Sequence, residues 1–483
     1  MDFPIFHIDF IGNRMLIAVD AILHVIINHA FAVGALPLIA LLEWQGMRSK
    51  DKRWDTLAFR LLKVIFILTT TVGALTGVGI WFSASLVNPA AIGSLIRVFF
   101  WGWFTEWLVF VTEVSLIMAY FLSWQTAGRS AESKLKHLRL GAFLAGFSWI
   151  TMAIIVAILG FMMDPGNWLS DGTLLSGLFN PMYLPQLAFR TCLAMVMGGM
   201  TMICLTYLYT RQDLHFRTAV LSALANWSAL WMLALIAAAY WYYQVIPEHM
   251  LANVPVAVTT QEYVLWNSRL KWLLIVGLMF VGWVVRATIK RPGQVHGAKY
   301  LASVLVLFAL LGQFERVREF IRKPYIIGNY MYANGIRVAD YPLLQRDGIL
   351  QHATYASIRE ITDDNQLSAG REVFEQTCTR CHTVNGVNSI RGQLKNMYGD
   401  KPWRPAVIAA YLENMNGARY FMPPFPGNKA ELNALAAYLA SLQKRAAAFN
   451  GVQVMGIPMP DKISASTHYG NLPDLAANHG EQD

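Results

Sequence analysis

Apolar residues in this chain gather into long uninterrupted stretches instead of alternating with polar ones. Eight such runs lie near 14–42, 57–86, 98–124, 140–163, 184–209, 218–245, 266–286 and 299–321. A hydrocarbon layer about 30 Å thick takes roughly 20 apolar residues in helix, because backbone groups left unpaired in lipid are costly. The pattern therefore predicts about eight transmembrane helices. The first run is too long, and lacks the small-residue cleavage site, to be a removable leader. After about residue 325 a Tyr/Asn/Gly stretch leads into a polar region with short helical periodicities, and the last stretch is rich in Pro, Asn, Gly and Asp. The expected fold class is all-α: a polytopic membrane helix bundle over 1–325, a linker over 326–364, a small α-helical domain over 365–445 and an extended tail without a core over 446–483.

Composition agrees. Of 483 residues, 55% are hydrophobic and 14% charged, where a soluble domain carries roughly a quarter charged. The net charge of +9 gains meaning from its placement. Arg48, Lys50, Lys52 and Arg53 follow the first run; Arg129, Lys134, Lys136 and Arg139 the third; Arg211 and Arg217 the fifth; Arg286, Lys290, Arg291 and Lys299 the seventh. The alternate loops are nearly bare of Lys and Arg, so the basic loops are expected on the cytoplasmic side, with the amino terminus and the region after 325 outside. The surplus is topology in a lipid bilayer, and nucleic acid is set aside as a partner.

Two of the four cysteines fall in the string Cys378-Thr-Arg-Cys381-His382. This is the pattern that holds a c-type haem, since two thiols one helical turn apart reach both vinyl groups while the adjacent imidazole binds iron. One covalent haem c is expected. The surrounding residues resemble class I cytochrome c: Gly370 and Phe374 on a short helix before the motif, and a final amphipathic helix, Ala430 to Leu442, with Leu435 and Tyr438 to pack on the first. Met422-Pro-Pro-Phe425 matches that family's methionine loop, with Met415 as the rival sixth ligand. Thioether opposite imidazole makes an electron carrier of raised potential. Covalent haem attachment belongs to the outer face of a bacterial inner membrane, where the loop charges had already put this domain.

Ionisable groups inside spanning helices are expensive and lie against a cofactor, a partner charge or water. Asp20 and His24 share a face of the first helix, whereas His29 points elsewhere; Glu106 and Glu113 share a face of the third; Glu315 and Glu319 precede Arg322 on the eighth. By depth, His24, Glu106 and Glu319 can line one pocket in the outer half. Such a set fits haem ligation and proton delivery, or else hydrogen-bonded pairs that hold helices together.

Residues 10 to 330 resemble the large subunit of cytochrome bd oxidase, through His24, Gly73-Ala-Leu-Thr76-Gly77, Glu106 with Glu113, and Glu319-Phe-Ile-Arg322-Lys323-Pro324-Tyr325. The resemblance implies that His24 and Glu319 ligate one or two non-covalent haems of b or d type, with Arg322 beside them, that Glu106 and Glu113 serve these haems with protons, and that a second membrane subunit accompanies the chain. Departures matter equally. Where that family has the histidine and methionine of its low-spin haem, this chain has Arg190 and Lys271, and Glu315 replaces a tryptophan. Neither an arginine nor a protonated lysine ligates iron, so the low-spin haem is expected to be absent. Ile246 to Thr260 also lacks the family's long charged quinol loop, so quinol is not the expected donor; an electron donor protein or cytochrome feeding the haem c replaces it. Arg190, Arg269 and Lys271 are either propionate ligands or interfacial anchors, and His29 is either a core histidine or an alternative ligand. Cys192 and Cys204 read as small buried hydrophobes, His7 and His137 as surface residues. Three functions remain open: a cytochrome c-fed bd-like oxidase reducing oxygen to water, a cytochrome subunit relaying electrons within a larger complex, and a transporter or scaffold with a fused sensor cytochrome.

Overall fold

The computed structural model describes residues 3–259 and 267–449, which are overwhelmingly helical. The first crossing is built from α1 (Asn13–Ile27) and α2 (Leu36–Ser49), joined through a π-helical turn at Asn28–Val33. The second is α3 (Lys52–Leu68), a further π turn at Thr69–Gly73, and α4 (Ala74–Val87). A short α5 (Pro89–Val98) precedes α6 (Phe100–Ala127), α7 (Ala131–Met163), α8 (Tyr183–Tyr209), α9 (Leu214–Val245), α10 (Asn267–Lys290) and α11 (Gly297–Ile321). Among the described residues seven of these units are long and apolar enough to cross a membrane, and α10 accounts for the remaining run. The chain is a polytopic membrane bundle.

The basic loops end in helix caps. Asp51 accepts from the Arg53 N–H at 3.0 Å, Ser130 from Ser133 at 3.0 Å and Asp213 from Phe216 at 2.9 Å, each satisfying a donor that the first turn leaves without an intrahelical partner. Inside the bundle, small residues let backbones touch. A Cβ on Gly34 would lie 2.1 Å from the Ala194 carbonyl oxygen, and one on Gly198 2.2 Å from the Gly34 carbonyl carbon, the close approach that membrane helices favour. Leu36, Ile39, Leu61, Leu62, Met197 and Leu221 fill the core around this crossing. By contrast α4 and α6 leave Leu75, Phe82, Trp101 and Trp107 exposed.

Beyond α11, residues expected as a linker are ordered. β1 (Tyr325–Ile327) pairs antiparallel with β2 (Met331–Tyr332), and the Gly328 N–H reaches the Met162 carbonyl at 3.1 Å, pinning the hairpin to the end of α7. Ile349 and Leu350 are buried in the carboxyl-terminal core with Phe374, and their N–H groups both donate to the Glu431 carboxylate at 2.8 Å. The core of the carboxyl-terminal domain thus also takes in two residues from the segment expected as a linker. The domain proper has α12 (Gln366–Thr377), α13 (Ile390–Tyr398), α14 (Pro405–Glu413) and α15 (Lys429–Phe449). Gly370 is required where α12 crosses α15, since a Cβ there would sit 2.0 Å from the Ala434 carbonyl oxygen. Phe374 meets Tyr438 at 5.8 Å between ring centroids, and Leu435 is fully buried. The expected tail lies, from residue 450, outside the described residues.

Candidate haem sites

Directly after α12 the chain makes a tight turn in which the N–H groups of Cys381 and His382 both reach the Cys378 carbonyl, at 3.0 and 2.8 Å. Both thiols and the imidazole thus issue from one turn. His382 Nδ1 lies 3.2 Å from the Asn388 carbonyl, and the Asn388 amide donates to the Cys381 carbonyl at 2.6 Å. This fixes the ring with Nδ1 as donor and leaves Nε2 for a metal. Burial, helped by the nearby charges of Lys323, Arg14 and Arg419 and opposed by the Asn388 carbonyl, lowers His382 to about 4, so its lone pair is available at neutral pH. Burial also pushes the Cys378 thiol up to about 11. Met422 is held by its N–H on the Arg419 carbonyl at 2.7 Å and by the Asn416 amide on its own carbonyl at 2.6 Å. The rival Met415 packs against the domain core. Paired thiols, an imidazole with a free nitrogen and a held thioether loop fit a covalent haem.

In the membrane part, His24 Nδ1 sits 3.2 Å from both the Gly73 carbonyl and the Thr76 hydroxyl. Gly77 lies flat against the ring, where a Cβ would come to 3.0 Å of Cε1. The Gly-x-x-Thr-Gly string is therefore a seat for this imidazole that leaves Nε2 free. One turn earlier, Asp20 accepts from the Ser83 hydroxyl at 3.3 Å. Glu113 accepts from the Thr151 hydroxyl at 2.9 Å, and Glu106 is half-buried on the same face of α6. Glu319 is bound through both oxygens by Arg322 Nη2 at 2.5 Å. It nevertheless keeps 37% of its side-chain surface, which opens into a cavity of about 520 Å³. That volume lies within the roughly 300–1,000 Å³ of small-molecule and cofactor sites. Arg14, Ala18, Ile22, Gly312, Lys323 and Cys381 are among its walls.

One shared pocket for His24, Glu106 and Glu319 is not what forms. Positions 18 and 22 of α1 face the cavity with Glu319, whereas 20 and 24 turn about 200° away at 100° per residue, toward α4. The candidate ligands occupy two flanks of α1.

Residues 365–439 match the family model described as cytochrome C oxidase, cbb3-type, subunit III. This part of the chain is a cytochrome c domain. The membrane part is similar in fold to a chain in the structure of bd oxidase from Geobacillus thermodenitrificans, with a TM-score of 0.55 and 17% identity over 67% of this chain and 90% of that one. No curated protein matches the sequence.

The cytochrome c domain is fastened to the bd-like bundle at the end where α1 begins and α11 finishes. Asp9 accepts from the N–H groups of Val384 and Asn385, the latter at 3.2 Å. Tyr420 donates to the Ala252 carbonyl at 3.0 Å, Phe421 meets Phe320 at 5.5 Å, and Arg380 donates to the Asn334 carbonyl at 2.6 Å. Lys323 Nζ stands 3.6 Å from Cys381 Sγ. The cavity that Glu319 opens into thus ends at the haem-binding motif itself. Neither Asp9 nor Arg14 nor Lys323 was singled out for a role by sequence; their partners lie hundreds of residues away or across the domain boundary, so no local spacing signals them.

Other expectations change. Arg190 is no interfacial anchor: it is 1% exposed and its guanidinium lies 2.6 Å from Glu315, which Arg318 Nε also engages at 3.0 Å. Two of the three positions that depart from the bd pattern are thus ion-paired with each other. Phe314 lies under Arg190, and Phe189 stacks on Tyr242 beside it. His29 is buried near this network. His137, expected at the surface, is 4% exposed and bound to Glu43 at 2.6 Å. Cys192 is buried and Cys204 half-buried, and His7 is half-buried beside Asp9. Arg269 and Lys271 lie outside the residues whose side chains are described.

Proposed function

We propose that this chain is the haem-bearing subunit of a cytochrome c-fed, bd-like terminal oxidase in a bacterial inner membrane, reducing oxygen to water, with its amino terminus and cytochrome domain on the outer side. The observation that carries this reading is the single cavity running from Cys381 to Glu319 under a fastened cytochrome domain. When bound, haem supplies one-electron redox chemistry at its iron. Cys378 and Cys381 would tether the outer haem, and His382 and Met422 would supply ligands to its iron. His24, oriented by Gly73 and Thr76, and Glu319, held by Arg322, present the ligand atoms for one or two b- or d-type haems inside the bundle. Arg14 and Lys323 supply positive charge to the cavity for carboxylate groups. Glu106 and Glu113 carry protons inward.

The Arg190–Glu315–Arg318 network stands where bd-like proteins would place a low-spin haem, so electrons enter through the cytochrome domain from a donor protein or cytochrome. The α9–α10 connection, residues 246–266, is short in sequence, which supports a donor other than quinol. The bare faces of α4 and α6 suit a second membrane subunit. The test is oxygen uptake from a reduced cytochrome donor, expected to fall at least tenfold in a His24→Ala variant; unchanged uptake rejects the reading. The same Arg190–Glu315 pair favours a second reading, a relay subunit without oxygen chemistry. A carbon monoxide difference spectrum separates the two: a clear shift from a five-coordinate haem supports the oxidase, and its absence the relay.

A further inference from the structure

At the end of the bundle remote from the cytochrome domain, three helices meet at one carboxylate. Glu43, on α2, has no exposed surface. It accepts from the Tyr120 hydroxyl of α6 at 2.6 Å and from Lys134 Nζ of α7 at 2.8 Å, and it meets His137 Nδ1 at 2.6 Å. His137 Nε2 lies 2.9 Å from the Tyr120 carbonyl. Lys134 continues outward to Asp55 of α3 at 2.8 Å, and Asp55 keeps 29% of its side-chain surface. The result is a bonded chain of acid, base and phenol that begins in water and ends fully buried. Trp124 covers the Lys134 ammonium at 5.2 Å.

Holding helices together does not require such a set. Desolvating buried ion pairs costs several kcal/mol per ion, and well-packed apolar residues of the same volume serve as well or better. Buried ionisable groups in membrane helices more commonly mark proton or ion routes. The position of this one supplies the direction. Glu106, Glu113 and Tyr120 recur every seven residues on one stripe of α6, about 10.5 Å apart. The facing stripe of α7 carries His137, Gly141, Leu144, Ser148 and Thr151, with Thr151 bonded to Glu113. Gly141 lets the Tyr120 ring lie against α7, since a Cβ there would come to 2.7 Å of its Cζ. Between Tyr120 and Glu113 stand the buried apolar side chains of Ile117 and Leu144.

We propose that the Asp55–Lys134–Glu43–Tyr120–His137 cluster is the proton entrance of this protein, loading protons from the water opposite the cytochrome domain and passing them across the Ile117–Leu144 constriction, through transient water, to Glu113 and Glu106. It rests on the oxygen-reducing reading above. Each proton that arrives at Asp55 is matched by one released at Glu113. Along the way only O–H and N–H bonds are exchanged, and four such protons with four electrons from the outer donor convert one oxygen molecule to two waters.

The test uses the purified holoprotein, with whatever subunit accompanies it, reconstituted in vesicles and fed reduced cytochrome donor from the cytochrome-domain side. In Glu43→Gln, oxygen uptake is expected to fall at least tenfold and its solvent deuterium isotope effect to rise. Anaerobic reduction of the haems by the same donor should stay within twofold, a split that a merely structural role would not produce. A pH indicator on the opposite side should lose its alkalinisation in proportion. Should Glu43→Gln lose haem, Tyr120→Phe carries the same measurements with the carboxylate left in place. Wild-type-like turnover and isotope effect in both variants, or proton uptake by the wild type from the donor side, overturns the entrance while leaving the oxidase intact. Absence of oxygen uptake by the wild type overturns both.

Discussion

Two side chains show how position alone changes what a residue does. Met422 and Met415 have the same chemistry, but Met415 is packed into the domain core and Met422 sits on a loop held by Arg419 and Asn416. Met422→Leu is therefore expected to retain the covalent haem while lowering its midpoint potential by more than the roughly 59 mV that corresponds to tenfold for one electron, which a redox titration reads. Met415→Leu should shift it little. Arg190 and Glu315 were legible as departures from a pattern, yet their pairing was not, because their 125-residue separation leaves no local spacing between them. Glu315 sits between Arg190 and Arg318, so Glu315→Leu removes a shared carboxylate from two buried guanidinium groups and is expected to cost about 3–5 kcal/mol. Arg190→Leu leaves Glu315 paired with Arg318 and should cost less, a difference that thermal unfolding in detergent reads. His137 misled for the same reason. Its partner Glu43 lies 94 positions away at the end of the first apolar run, and a histidine beside a basic loop reads as solvated until the fold closes over it.

At the scale of elements, apolar runs locate the spanning helices because lipid imposes one length on all of them. What the runs conceal is phase. The π turns at Asn28–Val33 and Thr69–Gly73 interrupt the 100° step within the first two crossings, so facing residues cannot be paired across them by counting. The helical wheel correctly separates His24 from His29, but nothing in it says that α11 lies on the side of Ala18 rather than of His24. In the cytochrome domain the elements were clearer, since Gly370, Phe374, Leu435 and Tyr438 are spaced for one crossing. Gly370→Ala drives a methyl group into the Ala434 carbonyl and is expected to destabilise that domain by about 1–3 kcal/mol. Denaturant unfolding followed at the c-haem absorbance should show it, with the bundle's helical signal unchanged.

For the whole molecule, the contact that matters most is between parts far apart in sequence. Asp9, ahead of the first helix, grips the loop just after the haem-binding motif, 375 positions further along the chain. Hydrogen bonds to a charged group contribute about 1.5–3 kcal/mol each, so Asp9→Ala is expected to loosen docking and slow oxidation of the c haem by the bundle roughly tenfold, with its potential unchanged. Stopped-flow spectroscopy on the full protein measures both. The same grip sets an order of manufacture. Cys381 lies half-buried beside Lys323 at the domain boundary, so porphyrin attachment to the two thiols is expected to precede docking. A chain that docked first would close without its haem, and assembly is therefore expected to pause between translocation and closure.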